Sequence, residues 1–467
     1  MSLALQLAER ISAMRREDLP PEAISGGKVA VLDTVGVTLA GSLEEAPRLL
    51  LETLALSGQS GTSLVFGTGQ RTGSLDAALV NGTSAHVLDF DNATNTMFGH
   101  ASATLIPALI AAGEACGAGG MDVLVAHAAG FETGACLGRG VNMHHYDKGW
   151  HPTSTLGVFA VAAACSRLLG LDAGRTATAL ALSTSLAAGI KANFGTMTKP
   201  LHVGQCARAG LMAALLARKG FTANPDAFEH KQGFFNAFNG AGNYDASRVL
   251  EHWGSPFDIV SPGACYKQYP SCASTHAVID AALSLVRRHG PFASRDLTRV
   301  ETWTAGRRLA HTNRPEPNTA LEAKFSVQYC AARALLDGKV TFEHFEGAAY
   351  RDAAVRDLLA RVHALPSPEG HLAPENQAGA EVKITLADGT AYSEKVSRPQ
   401  GRTSGNPIPM AQMKEKFENC ASRVLAPGNV AAVCHAVEAF DELKDLRDFT
   451  ALLEPAGADA QRTLERG

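Results

Sequence analysis

Apolar side chains recur every three to four residues through about the first 260 positions, the spacing of one face of an α-helix. Segment 74–90 shows this spacing from Leu75 to Leu88. The same pattern predicts further helices at 104–116, 121–138, 155–169, 175–189 and 204–219. A glycine, the residue preferred just after a helix, follows three of them: Gly117, Gly170 and Gly220. No strands alternate with these helices, so the pattern argues against a doubly wound sheet.

The pattern changes after Pro262. Segments 297–305 and 380–386 alternate between apolar and polar residues, which predicts strands, and a turn at 387–389 leads into a hairpin partner at 392–396. Helices are predicted among these strands at 275–288 and 325–336, and a Gly-, Pro- and Ser-rich linker follows at 397–409. Two last helices are predicted at 411–424 and 430–443.

These elements predict a mainly α protein with two domains. A large all-helical domain is expected to use both chain ends, 1–262 and 400–455, and a smaller α+β lid domain is expected at 263–399. A chain of 467 residues also exceeds the usual size of a single core.

Composition and charge argue against some classes of binding partner. The chain is 46% hydrophobic and 19% charged with a net charge of −4, so no bulk positive field attracts nucleic acid or an anionic membrane surface. An anionic substrate must therefore be held by a local cluster of positive groups. The N-terminal stretch 3–16 is interrupted by Gln6, Glu9 and Arg10, and other apolar runs are short. We expect a cytoplasmic protein without a membrane span.

Cofactor motifs are not evident. The nine cysteines include no C-x-x-C pair, which argues for reduced thiols and against an iron–sulfur centre. The glycines at 67–73 only approximate G-x-G-x-x-G and lack a surrounding βαβ pattern. We therefore expect neither a cofactor nor a resident metal.

Polar side chains instead gather where the predicted helices end. Asp89 and Asp91 end the helix at 74–90, and His100 follows shortly afterwards. Each has an ordinary explanation as a helix cap or a solvated end. Three histidines lie close together in the next such loop, where no Cys or Glu completes a familiar metal spacing: His144, His145 and His151.

Three further clusters follow along the chain. Lys199 and His202 lie on a predicted connector between two helices, and Lys267 and His276 flank a helix start. Tyr329 lies on the predicted helix at 325–336. Singly these are typical of surface or helix-end residues, but together they suit a polycarboxylate. Such a ligand needs several cationic or hydrogen-bonding groups, each contributing roughly 1.5–3 kcal/mol when well placed.

Five sequence blocks resemble signature blocks of the MmgE/PrpD family and occur in the family's order: AHVLDFDN, GWHPTSTLG, ANFGTMTKPLHVG, KQYPSCASTH and EAKFSVQYCAARALLDGKV. The resemblance covers roughly residues 25–440. The family includes 2-methylcitrate dehydratases, cis-aconitate decarboxylases and iminodisuccinate epimerase. It implies a homodimer with a large helical domain made from both chain ends and a smaller α+β lid.

Resemblance to the decarboxylase branch also implies a set of site residues. The catalytic residues would be Asp89, His100, His151, Lys199, Lys267 and Tyr329, and the substrate-binding residues Thr94, His202 and His276. The chain departs from the family's D-F-D-D at Asn92 and Ala93, and from its H-P-S after His100. These changes bear on which acid is the substrate.

The resulting hypothesis is a lyase for a small di- or tricarboxylic acid, either dehydratase-like or decarboxylase-like. Lys199, Lys267 and His202 would hold substrate carboxylates. His100 and His151, oriented by Asp89, would exchange protons at the carbon next to a carboxylate, and Tyr329 would hydrogen-bond that carboxylate. The alternatives are an epimerase of the iminodisuccinate type, a non-catalytic acid-binding protein, and a metal-dependent lyase using His144, His145 and His151.

Overall fold

In a computed structural model, which describes residues 1–56, 58, 60–372 and 378–455, the chain is mainly α-helical, as predicted. The α-helices in chain order are α1 Leu3–Ala13, α2 Pro21–Gly41, α3 Glu45–Ala55, α4 Ser74–Val87, α5 Ala101–Cys116, α6 Gly120–Val141, α7 His144–Asp147, α8 Pro152–Thr155, α9 Gly157–Leu168, α10 Ala173–Ser183, α11 Thr198–Arg218, α12 Phe234–Asn239, α13 His276–His289, α14 Gly306–Thr312, α15 Ala320–Lys324, α16 Val327–Asp337, α17 Ala353–Leu359, α18 Met410–Ala421, α19 Pro427–Glu438 and α20 Leu446–Ala451.

The strands are fewer and shorter. They are β1 Ser63–Leu64, β2 Arg71–Thr72, β3 Ala93–Thr94, β4 Ala264–Cys265, β5 Leu297–Thr304, β6 Val362–Pro366, β7 Ala380–Leu386 and β8 Ala391–Val396. β1 and β2 pair antiparallel, as do β3 and β4. The last four form one sheet in the order β6-β5-β7-β8, in which only the β5–β6 pairing is parallel.

The chain divides into two compact units, one formed by Met1–Tyr266 with the segment from Thr403 onward, the other by Lys267–Arg402. The role of the second unit as a lid stays a prediction. In the first unit, α5, α6, α9 and α11 supply much of the buried core. In the second, α13 and α16 pack against the sheet over a separate core.

Helix α11 approaches α4 closely, because both helices carry a glycine at the crossing. A Cβ atom added to Gly82 would lie 2.8 Å from the Cα of Gly204, closer than real Cβ contacts allow. Side chains at this crossing would therefore force the helices apart. The glycine pair therefore allows the N-terminal end of α11, which carries Lys199, to lie near the C-terminal end of α4, which Asp89 follows.

Helix α2 is the one helix in the described part of the chain that is long and apolar enough to cross a membrane. However, 72% of its apolar window is buried within the structure, as is usual for the core helix of a globular domain. The cytoplasmic location stays a prediction.

Candidate active site

The site begins at the C-terminal end of α4. His86 lies in the last turn of that helix, and the chain then turns sharply through Asp89, whose φ of 53° is left-handed. Aspartate tolerates this conformation better than most residues because its short side chain can form local hydrogen bonds. The turn leaves the side chains of His86, Asp89 and Asp91 buried in the first unit.

Asp91 joins two histidines. Its carboxylate oxygens lie 2.9 and 3.0 Å from Nδ1 of His86 and 2.8 Å from Nδ1 of His100. Since a carboxylate only accepts hydrogen bonds when ionised, each imidazole donates its Nδ1–H to it, which leaves Nε2 of each ring as the nitrogen available for chemistry. His100 Nδ1 also lies 3.0 Å from the carbonyl oxygen of Asn92, a second acceptor that favours the same tautomer.

Burial and charge determine the protonation of this group. Burial opposes ionisation of Asp91, but the neighbouring charges of His100 and His86 and their hydrogen bonds outweigh it and hold its pKa well below the usual value. Burial lowers the pKa of His86 to about 4, against the opposing pull of Asp91. Asp91 is therefore a carboxylate and His86 a neutral imidazole at pH 7.

Asp89 forms a buried ion pair with Lys199, whose Nζ lies 2.5 Å from Oδ1 of the aspartate. Lys199 is the second residue of α11 and lies 5.4 Å from the ring centroid of Phe194. Only 10% of the lysine side chain and 8% of the aspartate side chain are exposed, so the pair is largely shielded from water. An incoming carboxylate could share this ammonium group with Asp89.

His151 and His202 form a second pair, with their Nδ1 atoms 3.2 Å apart. Burial, followed by the charges of His86 and Lys199, holds the pKa of His151 well below its usual value. Burial and then Lys199 also lower the pKa of His202. One ring therefore donates N–H and the other accepts, and both are neutral at pH 7.

The His151–His202 pair lies next to the group formed by His86, Asp91 and His100. The ring centroids of His86 and His100 are 4.5 Å apart, and those of His86 and His151 are 6.1 Å apart. His151 also meets the ring of Phe194 edge-on, with centroids 4.8 Å apart. One site in the first unit thus combines an ammonium group, two carboxylates and four imidazoles, which suits the binding of an anion and the movement of protons.

Two protein-family models together match most of the chain. Residues 5–247 match the MmgE/PrpD N-terminal domain, and residues 269–441 match the MmgE/PrpD C-terminal domain. The chain belongs to the MmgE/PrpD family.

Relatives within the MmgE/PrpD family match almost the whole chain. The cis-aconitate decarboxylase of Homo sapiens is 30% identical over 468 residues, covering 97% of this chain and 95% of the relative. That of Mus musculus is also 30% identical, covering 97% and 93%. The cis-aconitate decarboxylase of Aspergillus terreus is 25% identical, covering 95% and 94%. These names support an enzyme of this family.

Five of the nine site residues implied by the MmgE/PrpD resemblance lie together in the first unit: Asp89, His100, His151, Lys199 and His202. Their catalytic and binding roles stay predictions. Two details differ from the sequence-based expectation. Asp91 carries the carboxylate that holds Nδ1 of His100, where Asp89 was expected to orient that ring. Lys199 and His202 lie on the first turns of α11, not on a connector.

Thr94 has a structural role in its own turn. Its hydroxyl oxygen accepts a hydrogen bond of 3.0 Å from the backbone N–H of Met97, and its backbone N–H donates to the carbonyl of Gly99 at 2.7 Å. These bonds shape the segment that leads to His100. A direct contact of Thr94 with substrate stays a prediction.

The three remaining predicted residues belong to the second unit. Lys267 and His276 are buried, and Nε2 of His276 lies 3.3 Å from the carbonyl oxygen of Ser271. Tyr329 lies in the core of that unit, where its hydroxyl donates to the carbonyl of His344 and accepts from Nε of Arg333. The structure thus gives Tyr329 internal partners, and the part of all three in catalysis stays a prediction.

Two of the three histidines of the metal-dependent alternative, His144 and His145, have hydrogen-bond partners away from His151. Nδ1 of His145 lies 2.9 Å from the amide oxygen of Asn239, and its Nε2 lies 2.7 Å from Oγ1 of Thr155. Nε2 of His144 lies 3.0 Å from the carbonyl oxygen of Asn239. With both ring nitrogens of His145 in use, these residues do not form a ligand set.

The sequence pattern did not reveal two features of the site. These are the contribution of His86 and the contacts that hold the turn containing Asp89 and Asp91. Lys416 of α18 lies 2.6 Å from Oδ1 of Asp33 and 2.7 Å from the carbonyl oxygen of Phe90. The other oxygen of Asp33 accepts two hydrogen bonds of 3.0 Å from Asn92. A histidine within a mostly apolar, buried helix was the available signal for His86. No local pattern links Asp33 to Lys416, 383 positions away.

Proposed function

We propose that the protein is a cofactor-independent lyase for a small tricarboxylic acid, acting as a cis-aconitate decarboxylase. The observation that carries the proposal is the buried Asp89–Lys199 ion pair beside the Asp91-held imidazole of His100. Relatives named cis-aconitate decarboxylase, matched along nearly the whole chain, support this choice over the dehydratase.

In the proposed reaction, Lys199 binds a carboxylate of the substrate and His202 supports that contact. The C–C bond to another carboxylate group breaks and CO₂ leaves. The electron pair is delocalised through the adjacent double bond toward a retained carboxylate, where a cationic group stabilises it. An imidazole of the site then delivers one proton to carbon and regains it from solvent, so that one proton is consumed for each CO₂ released.

His100 is the proposed proton donor. Its Nδ1–H is held by Asp91, so its Nε2 faces away from that carboxylate, and the carboxylate stabilises the imidazolium that forms when Nε2 carries a proton. His151 and His202 are proposed to relay protons as a neutral N–H···N pair. Lys267 and Tyr329 as catalytic residues, and His276 as a substrate-binding residue, are proposed on the family resemblance alone.

NMR in D₂O with cis-aconitate, citrate, 2-methylcitrate and iminodisuccinate tests this proposal. We expect loss of CO₂ from cis-aconitate, with one deuterium incorporated at a carbon of the product. Water loss from 2-methylcitrate or citrate would instead establish a hydro-lyase. Deuterium gain by iminodisuccinate without net loss would establish an epimerase. Tight binding without exchange would identify a binding protein, and no effect from any of the four acids would refute this substrate class.

We also propose that the protein is a homodimer, as the family resemblance implies. Light scattering of the purified chain measures the mass directly. A mass of two chains is expected, and a monomer at micromolar concentration would contradict it.

A further inference from the structure

Three side chains of the site bring possible metal-ligand atoms close together, an arrangement that the proposed reaction does not use. One ring nitrogen from each of His86 and His100 and a carboxylate oxygen of Asp89 all lie within 4.8 Å of one another. His86 is buried, and its Nε2 has no hydrogen-bond partner among the described residues. A buried polar atom left without a partner is destabilising, so this nitrogen has the capacity to gain a ligand.

The opposite side of both rings is held by one group. Asp91 accepts the Nδ1–H of His86 and of His100. Histidines that bind metal ions usually donate their other N–H to a carboxylate in this way, which orients the ring and makes the binding nitrogen more basic. Asp91 provides that arrangement for two histidines at once.

We propose that His86, Asp89 and His100 form a site for a divalent transition-metal cation of the Zn²⁺ type, and that the bound cation inhibits the enzyme. Two imidazole nitrogens and one carboxylate oxygen are a common donor set for Zn²⁺, with the remaining position left to water. Bound Zn²⁺ would use the Nε2 atom assigned to proton transfer and would separate Asp89 from Lys199. Only the inhibition depends on the proposed function, because binding follows from the donor set alone.

Lys199 distinguishes this site from a resident metal centre. Its ammonium group lies 2.5 Å from Asp89 Oδ1, so an arriving cation must displace one positive charge from that carboxylate and remain close to it. The lysine therefore weakens cation binding. Removal of its charge is expected to tighten Zn²⁺ binding, which is the opposite of its effect on turnover.

Direct Zn²⁺ binding is the decisive measurement. The full-length protein, dialysed against chelator, would be titrated with ZnCl₂ in competition with a chromophoric chelator. We expect one Zn²⁺ per chain. His86→Gln and His100→Gln are each expected to weaken binding at least about tenfold, and Asp91→Asn by about 10–100-fold as a lost support of both ligands. Lys199→Met is expected to bind more tightly than the wild type.

His127→Gln is the matched control. His127 is also buried, and its Nδ1 also has no partner among the described residues, but it contacts the hydroxyl of Ser102 instead of a carboxylate. Its substitution is expected to leave Zn²⁺ affinity unchanged. Circular dichroism melts show whether each variant folds. If His86→Gln does not fold, His100→Gln and Lys199→Met still provide the test.

Several outcomes would overturn the proposal. These are no stoichiometric binding by the wild type, equal affinities across the ligand variants, or weaker binding by Lys199→Met. Turnover that rises with Zn²⁺ would refute inhibition. A chain that binds Zn²⁺ with the expected variant pattern, yet converts none of the four acids, would contradict the proposed lyase and leave the cation site standing.

Discussion

At the scale of single residues, one carboxylate determines the chemistry of two imidazoles. Asp91 is fully buried, and two histidines lie within 3.0 Å of its oxygens. The low pKa of Asp91 means that the negative charge persists at neutral pH. That fixed charge sets the tautomer of both rings, because each imidazole donates its Nδ1–H to it.

Asp91→Asn is therefore expected to lower kcat by about 10²–10⁴-fold, the usual contribution of a positioned acid or base, with a much smaller change in KM. The amide can no longer stabilise an imidazolium, and it can present N–H to the ring nitrogen that must itself donate. Steady-state kinetics with cis-aconitate measures the effect.

Asp76→Asn is the control for that substitution. Asp76 is also a buried aspartate, in α4, but its partner is Arg208 at 3.4 Å, outside the site. This variant is expected to keep nearly normal kcat. Retention of half the wild-type kcat by Asp91→Asn would contradict the role given to the carboxylate.

Lys199→Met is expected to raise KM for the acid by about 10–150-fold, which corresponds to a lost charge-assisted contact of roughly 1.5–3 kcal/mol. The isosteric methionine keeps the volume of the side chain but not its charge. Lys191→Met is the matched control, because Lys191 donates to the carbonyl of Tyr146 and lies over the ring of that tyrosine. Equal KM values for the two variants would contradict the assignment.

At the scale of elements, the turn that carries Asp89 and Asp91 is held between α2 and α18. Lys416 of α18 bonds both to Asp33 of α2 and to the backbone of the turn at Phe90. Asn92 completes the contact by donating twice to Asp33. A helix from the C-terminal end of the chain thus holds a turn of the candidate site that the N-terminal part contributes.

Lys416→Met is expected to destabilise the protein by about 3–5 kcal/mol, because it leaves the carboxylate of Asp33 buried without its cation. Thermal or denaturant unfolding measures this change. Asp33→Asn combined with Lys416→Met is expected to cost less than Lys416→Met alone, since the double variant has no unpaired buried charge.

Lys414→Met provides the comparison on the same helix. Lys414 pairs with Glu438 on the surface, where solvent screens the charges, so no measurable loss is expected. A double variant less stable than Lys416→Met would contradict the ion-pair explanation.

The sequence predicts most helices but not their ends where proline is involved. The helix predicted at 204–219 begins six residues earlier, at Thr198, and includes Pro200. Proline is tolerated there because the N–H groups of a first turn have no acceptor within the helix. That shift places Lys199 and His202 on a rigid helix. β6 was missed because it pairs in parallel with a strand about 60 residues earlier, and local alternation does not reveal such pairing.

At the scale of the whole molecule, the first unit buries several titratable groups whose pKa values are shifted. Burial lowers the pKa of three histidines to about 4: His86, His127 and His145. For His86, burial outweighs the opposing effect of Asp91. Burial raises the pKa of Glu132 to about 7, although backbone N–H groups and Arg139 oppose that shift. The local sequence does not predict these pKa shifts, because burial of these groups depends on helices that meet only in the folded unit.

Stability of the first unit is expected to fall as the pH is lowered from about 6.5 to 4. In that range each histidine takes up a proton when unfolded but stays neutral when folded, so unfolding binds protons and acid favours it. Glu132 acts in the opposite sense, because the folded state holds a proton between pH 4.5 and about 7 that the unfolded state releases. Three histidines outweigh one glutamate. Melting temperatures across this pH range measure the net effect.

Two variants separate these contributions. His127→Leu removes one buried imidazole and is expected to reduce the pH slope of the unfolding free energy by about 1.4 kcal/mol per pH unit, the value for one proton. Glu132→Gln is expected to steepen the loss, because it removes the opposing group. The exposed His435 gives the control, since His435→Asn should leave the slope unchanged. Stability of Glu132→Gln that stays constant between pH 6.5 and 4 would mean that these histidines take up protons in the folded protein as readily as in the unfolded chain, which would contradict their lowered pKa values.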